Sequence, residues 1–152
     1  MNDAADKFIE KMGLVSQGEG GPRIAGRIFG LMIVEGRAFS LQEIAERLEI
    51  SKASASTNAR LLANRGVLRL TSRKGVRQDF YELVPDPYRQ MIQTVSEGMA
   101  SIATEIAEAE ADFPEDESGA KTRVRELVAF YRETADVFAA WAAKSQPGSK
   151  PR

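Results

Sequence analysis

The chain contains no cysteine and no histidine among its 152 residues. Without thiols there is no disulfide framework, no thiol redox switch and no zinc finger. Without imidazole the usual zinc sites and histidine acid–base catalysis go too, so no metal site is expected. No apolar run approaches the roughly 20 residues needed to span a bilayer. No charged-then-apolar leader opens the chain, and the expectation is a cytoplasmic protein with no membrane partner. Glycine-rich phosphate loops, nucleophile–base pairs and cofactor motifs are also missing. An enzyme is therefore not expected, nor a cofactor. Internal repeats and low-complexity segments are absent.

Net charge is almost nil, −1 from 21 basic and 22 acidic residues, which alone argues against a nucleic-acid partner. Its distribution reverses that. Residues 22–84 hold eleven lysines and arginines against six acidic residues, while the remainder holds ten against sixteen. The length suits one domain with a real core, and a basic centre flanked by acidic helices concentrates the electrostatic footprint in one place.

That centre has a readable order. Ser40 and Glu43 form the Ser-x-x-Glu capping box of a helix start, and Leu41, Ile44, Ala45 and Leu48 recur at helical spacing. Glu49 and Ile50 make a turn, and Ser51 is the natural N-cap of a second helix. Ala55, Ala59 and Leu62 give that helix an inner face, and Gly66 suits a left-handed C-terminal cap. On the opposite face lie Ala53, Thr57, Arg60 and Asn64, with Ser56 on one flank and Lys52 and Ser54 in the first turn. No acidic residue occurs between Lys52 and Asp79. Exposed helices usually mix both signs, so this bias points to an anionic partner. Short side chains let a helix approach the floor of the major groove, where an arginine reaches guanine O6 and N7 with two hydrogen bonds.

Segments 67–72 (VLRLTS) and 79–84 (DFYELV) are rich in β-branched and aromatic residues and read as two strands. Between them Arg73, Lys74 and Arg77 crowd a glycine-containing tip. Edge-strand protection by charge is the plainer reading of such a tip; neutralisation by phosphates is the functional one.

The run GPRIAGRIFGLMIVEGRAFSLQEIAERLEISKASASTNARLLANRGVLRL resembles the GbsR branch of the MarR-type winged-helix transcriptional regulators. The likeness is strongest in ISKASASTNARLLANRG and in the wing GVRQDFYEL. It covers about residues 21–84, and the flanking helices only in pattern. The resemblance implies a dimeric DNA-binding repressor with an effector site, in the best-known branch one answering choline or related osmoprotectants. It carries DNA contacts to Lys52, Ser54, Ser56, Thr57 and Arg60 on the second helix and to Lys74 and Arg77 on the wing. No effector residue carries over.

The flanks read as helices. Residues 2–17 form an amphipathic helix broken by 18–22 (GEGGP). A helix nearly all apolar on its inner side (Ile24, Ile28, Leu31, Met32) follows to about residue 35, and Gly26 and Gly30 within it cost about 1 kcal/mol each in helix propensity relative to alanine. Close approach of another helix, N-terminal or C-terminal, is the expected reason. After the stiff connector VPDP (84–87), Tyr88, Ile92, Val95, Met99, Ile102, Ile106, Ala109 and Phe113 trace a heptad seam, for an intramolecular bundle, a protomer interface or both. The acidic loop 112–118 reads as solvated. The last helix, about 120–144, has one stripe from Val124 to Ala142 and a second of Leu127, Phe130, Val137 and Trp141, an arc too wide for one neighbour.

The expected architecture is therefore mainly α with a small β-hairpin, a winged helix-turn-helix flanked by dimerisation helices. Its parts are an N-terminal dimerisation helix (1–20), a DNA-binding segment (21–85), a C-terminal helical segment (86–145) and a disordered tail (146–152). The expected function is sequence-specific regulation of transcription on a palindromic double-stranded operator, as a homodimer. The recognition helix is about 51–65 and the wing 72–79, with Ser51, Lys52, Ser54, Ser56, Thr57, Arg60, Arg73, Lys74 and Arg77 against DNA. Tyr88, Phe113, Tyr131, Phe138 and Trp141 offer aromatic faces for a small, quaternary-ammonium effector. The alternative is a winged helix serving as a protein-binding module. The cationic tip argues against it, because protein interfaces deplete lysine at their cores.

Overall fold

The computed structural model describes residues 2–144, so the expected tail at 146–152 lies outside the described residues. The chain divides into two compact units, residues 1–87 and 88–152.

The first unit begins with α1 (Asp3–Gly18), capped by the Asn2 side chain, and α2 (Arg23–Glu35), which ends at Gly36 in the left-handed conformation. These two helices pack directly on each other, and the glycines explain how. A Cβ on Gly26 would stand 2.2 Å from the Met12 carbonyl oxygen, and one on Gly30 would stand 3.2 Å from Ile9 Cα. The N-terminal helix is thus the close neighbour that the two glycines of α2 accommodate. Next come β1 (Phe39–Ser40), α3 (Leu41–Leu48) and α4 (Lys52–Asn64). The capping box at Ser40 and Glu43 is formed in both directions, and the Ser51 hydroxyl accepts the Ser54 N–H at 3.0 Å. Beyond α4, Gly66 takes φ 76°, and Val67 N–H returns to the Leu62 carbonyl at 3.0 Å. Apolar residues from α1 to α4, among them Ile9, Ile28, Leu31, Ile44 and Ala59, form one core.

The wing is β2 (Leu68–Ser72) and β3 (Asp79–Leu83), antiparallel, with Leu70 opposite Tyr81 and Ser72 opposite Asp79. A third strand, which the sequence pattern does not announce, completes the sheet. β1 pairs with β3 through Phe39 and Tyr81, giving the order β1-β3-β2. The start of the helix-turn-helix is thereby hydrogen-bonded to the wing.

The second unit is a hairpin of α5 (Pro87–Glu110) and α6 (Ala120–Ala143). Its antiparallel pairing is fixed by Arg89 donating to the Ala142 carbonyl, Ser96 to the Ala135 carbonyl and Arg125 to Glu110. The α5 seam is phased differently from the apolar reading. Ser96 and Ala103 are its buried residues, and Ile92, Met99 and Ile106 flank them half-buried. Tyr88, Val95 and Ile102 remain exposed. Small residues win the contact because they bring the helices close enough for the Ser96 hydroxyl to reach a backbone carbonyl. In α6 the first stripe turns inward at Val128, Ala135 and Ala142, whereas Leu127, Phe130, Val137 and Trp141 stay exposed.

Candidate nucleic-acid interface

α4 exists because a cap, an apolar stripe and a stop signal agree on its limits. Ala55, Ala59 and Leu62 are buried and orient it. The opposite side then has to face solvent: Lys52, Ala53, Thr57, Arg60 and Asn64 are exposed, with Ser54 and Ser56 half-buried. Asn58, which sequence reasoning missed as an inward residue, is buried and donates to the Ser54 carbonyl at 2.9 Å. No single-sequence pattern separates it from its exposed polar neighbours.

The first turn of α4 carries no acidic residue, although a cation at the positive end of a helix dipole is unfavourable. Lys52 sits there, beside backbone N–H groups that Ser51 satisfies only in part. An anion at this end would relieve both costs. The Ser51 hydroxyl caps the helix and also donates to Ser54 Oγ at 3.0 Å, which leaves Ser54 as the free hydroxyl donor of the pair.

The wing tip is exposed throughout residues 72–79. Gly75 turns it with φ 79°, and Val76 N–H closes onto the Arg73 carbonyl at 3.1 Å. Its three cations differ in what they touch. Arg73 lies over the Phe80 ring at 4.3 Å and donates to the Ala38 carbonyl at 3.3 Å. The same carbonyl accepts Arg37, whose guanidinium covers Phe39 at 3.7 Å and pairs with Glu43 at 3.1 Å. Arg73 thus holds the root of the wing to the segment before α3, an anchoring that its position in the sequence did not reveal. Lys74 and Arg77, like Lys52 and Arg60, have no ion-pair or hydrogen-bond partner among the described residues. Arg69, by contrast, is matched across the strands by Glu82 at 2.9 Å.

The five aromatic candidates for an effector fall in the second unit. Arg89 lies beside Ala142, so Tyr88 and Trp141 share one end of the hairpin. Phe113 lies in the connecting loop at the other end, about 36 Å away at 1.5 Å per helical residue. Tyr131 meets Phe130 edge-on, centroids 5.3 Å apart. Within one chain these five side chains do not gather into a single cage. The acidic loop is met by ion pairs instead, with Glu115 close to Lys121 at 3.4 Å and to Arg125 at 3.5 Å. Among the described residues no cluster of acidic side chains has the form of a metal site.

A helix laid across a three-helix core, followed by a wing tied back to that core, is a winged helix-turn-helix. The fold of a solved transcriptional regulator superposes on this chain with a TM-score of 0.83, at 24% identity, covering 91% of this chain and 95% of that one. The fold is that of a helix-turn-helix transcriptional regulator. In sequence, the chain is 29% identical over 129 residues to the HTH-type transcriptional regulator MmpR5 of Mycobacterium tuberculosis, covering 82% of this chain and 78% of that protein. It is 29% identical over 96 residues to the putative HTH-type transcriptional regulator YvaV of Bacillus subtilis, covering 63% and 54%. To the HTH-type transcriptional repressor OpcR of the same organism it is 28% identical over 89 residues, covering 59% and 48%. The chain spans about half the length of these two Bacillus relatives. No family model matches it.

Proposed function

We propose that the chain is a sequence-specific, double-stranded-DNA-binding transcriptional regulator, acting as a repressor of the GbsR-like kind. In this reading α4 enters the major groove with Thr57 and Arg60 toward base edges. Lys52, Ser54 and Ser56 approach the backbone, and Lys74 and Arg77 follow phosphate or the minor groove. The observation that carries it is the uncompensated charge. Four cations on two adjacent elements point outward without partners among the described residues, while Arg69 a few residues away is neutralised. The reading is of a cytoplasmic binding protein rather than an enzyme.

The same proposal includes a two-fold homodimer. α6 exposes Leu127, Phe130, Val137 and Trp141, and α1 separately exposes Phe8, Leu14 and Val15; large apolar side chains left exposed on a helix favour burial against a partner. A dimer would present two copies of α4 to half-sites about 10–10.5 bp apart or a multiple of that. A small effector acting through the helical unit would need different affinities for two arrangements of the dimer; calorimetry with choline and glycine betaine addresses it. The main test is selection of duplexes from a random pool by the purified protein. Enrichment of an inverted repeat with that spacing is expected. A pool that stays random after repeated rounds would end the proposal and bring the protein-binding alternative forward.

A further inference from the structure

α1 packs chiefly on α2, yet it also grips the end of α3, the helix that precedes α4. The joint is Arg27 of α2, whose side chain is 20% exposed. Its Nε donates to Glu10 Oε1 of α1 at 2.7 Å, and its Nη2 donates to the Leu48 carbonyl at 3.0 Å. Leu48 is the last residue of α3, so its carbonyl is one of those that no intrahelical N–H can satisfy. The following residue, Glu49, holds φ 53°, a left-handed conformation that costs a non-glycine residue energy and persists only where the surroundings enforce it. Two residues further on, Ser51 caps α4. One guanidinium therefore ties a carboxylate of α1 to the reversal that launches the proposed recognition helix.

The surroundings are built to hold it. The aliphatic stem of Arg27 passes over Gly13, where a Cβ would lie 2.8 Å from Arg27 Cγ. Glu10 is held from its far side by Arg23 at 3.1 Å. A second strut runs in parallel, with Arg47, near the end of α3, donating to Asp6 of α1 at 2.8 Å. Half-buried ion pairs are poor sources of net stability, since desolvation offsets their attraction. The apolar contacts of Ile9 and the glycine packing already seat α1 on α2. What the polar joint adds is direction at the end of α3.

We propose that Arg27 is a positioning residue for DNA recognition: by bridging Glu10 of α1 to the Leu48 carbonyl, it fixes the Glu49 reversal and hence the direction in which α4 is presented. α1 then influences operator selectivity without touching DNA. This rests on the DNA-binding reading above, and its test has one arm that needs no DNA.

The decisive variant is Arg27→Lys in the full chain. It keeps the charge and the stem, but a point ammonium cannot replace a planar fork holding two acceptors. Amide exchange at residues 49–50, whose N–H groups close onto the Glu46 and Ala45 carbonyls, should speed up about tenfold in the variant, the scale of removing one charge-assisted hydrogen bond, with exchange in α2 unchanged. On the selected operator its affinity should fall by about tenfold, with affinity for random duplex retained. Glu10→Gln, which removes the charge but leaves an acceptor, should move both readouts the same way by less. Unchanged exchange at 49–50 would overturn the proposal, as would faster exchange with selectivity intact or an equal loss on both duplexes. If the wild-type chain selects no duplex, the DNA reading fails by itself and the exchange arm alone decides the mechanical link. Should Arg27→Lys not fold, the same outcomes read on Glu10→Gln decide it.

Discussion

Replacing Gly26 by alanine tests the packing on which the first unit rests. Alanine in a helix interior is favoured over glycine by about 1 kcal/mol, so on propensity alone the variant should be more stable. The structure places the new methyl 2.2 Å from the Met12 carbonyl oxygen, 2.9 Å from its carbonyl carbon and 2.6 Å from Ser16 Cβ. Two of these are backbone atoms of a neighbouring helix and cannot rotate away. Relief requires α1 to move off α2, loosening the packing around Ile9. Overpacking of this kind costs about 1–3 kcal/mol and occasionally more, and a backbone obstacle belongs at the upper end. Set against the propensity gain, a net loss of about 2 kcal/mol is expected, which in a unit of this size lowers the melting temperature by roughly 8–16 °C. Gly98, with nothing within 4 Å, is the matched control; alanine there should stabilise α5 by up to about 1 kcal/mol. Circular dichroism melts of both variants supply the comparison. A Gly26→Ala protein that melts at or above the wild-type temperature would refute the close seating of α1 on α2.

Ser40→Ala should cost about 1 kcal/mol in a urea titration, because it removes one half of the capping box and leaves Glu43 N–H without its acceptor. Stability should also fall in acid. Backbone hydrogen bonding from Ser40, opposed by desolvation and aided by Arg37, holds the Glu43 carboxyl below its ordinary range. Desolvation raises the Glu10 carboxyl, but the hydrogen bonds from Arg23 and Arg27 outweigh it and leave the group lowered. A depressed folded-state value contributes stability that is present above the ordinary value of 4.5 and lost as the pH drops through the folded value. Melting temperature should thus be flat from neutrality to pH ~5 and decline below it, and Glu10→Gln with Glu43→Gln should flatten that decline. Val137→Glu, at a position 65% exposed in α6, should leave the melt of a monomer unchanged and abolish self-association in sedimentation. Continued dimerisation would move the interface away from that stripe.

What the sequence made legible was local. The caps at Ser40 and Ser51, the stop at Gly66 and the β-branched and aromatic content of the wing strands act within a few residues, so their signals sit side by side in the chain. Apart from the close helix neighbour signalled by Gly26 and Gly30, long-range choices were not legible. β1 is a two-residue strand whose Ser40 also caps α3, and the capping signal masks the pairing with Phe80. The α5 seam follows Ser96 and Ala103 because close approach and a hydroxyl–carbonyl bond outweigh the larger apolar area of Val95 and Ile102. Arg73 looks like its neighbour Lys74 until Phe80 and the Ala38 carbonyl are placed beside it. The outward face of α4 was readable, since helical geometry alone opposes Arg60 to Ala55 and Leu62, whereas the inward turn of Asn58 depends on a hydrogen bond that no spacing rule records.

If α4 reads base edges while the wing tip follows the phosphates, one titration separates the two roles. Arg60→Ala and Lys74→Ala/Arg77→Ala would each be measured against the selected operator and a random duplex at several salt concentrations. The Arg60 variant should lose about 1–3 kcal/mol on the operator and little on random DNA. The wing variant should weaken both duplexes nearly alike and make the salt dependence shallower by about one unit for each phosphate it no longer neutralises. An Arg60 variant that weakens both duplexes equally would make that residue a phosphate clamp and contradict the placement of α4 in the groove.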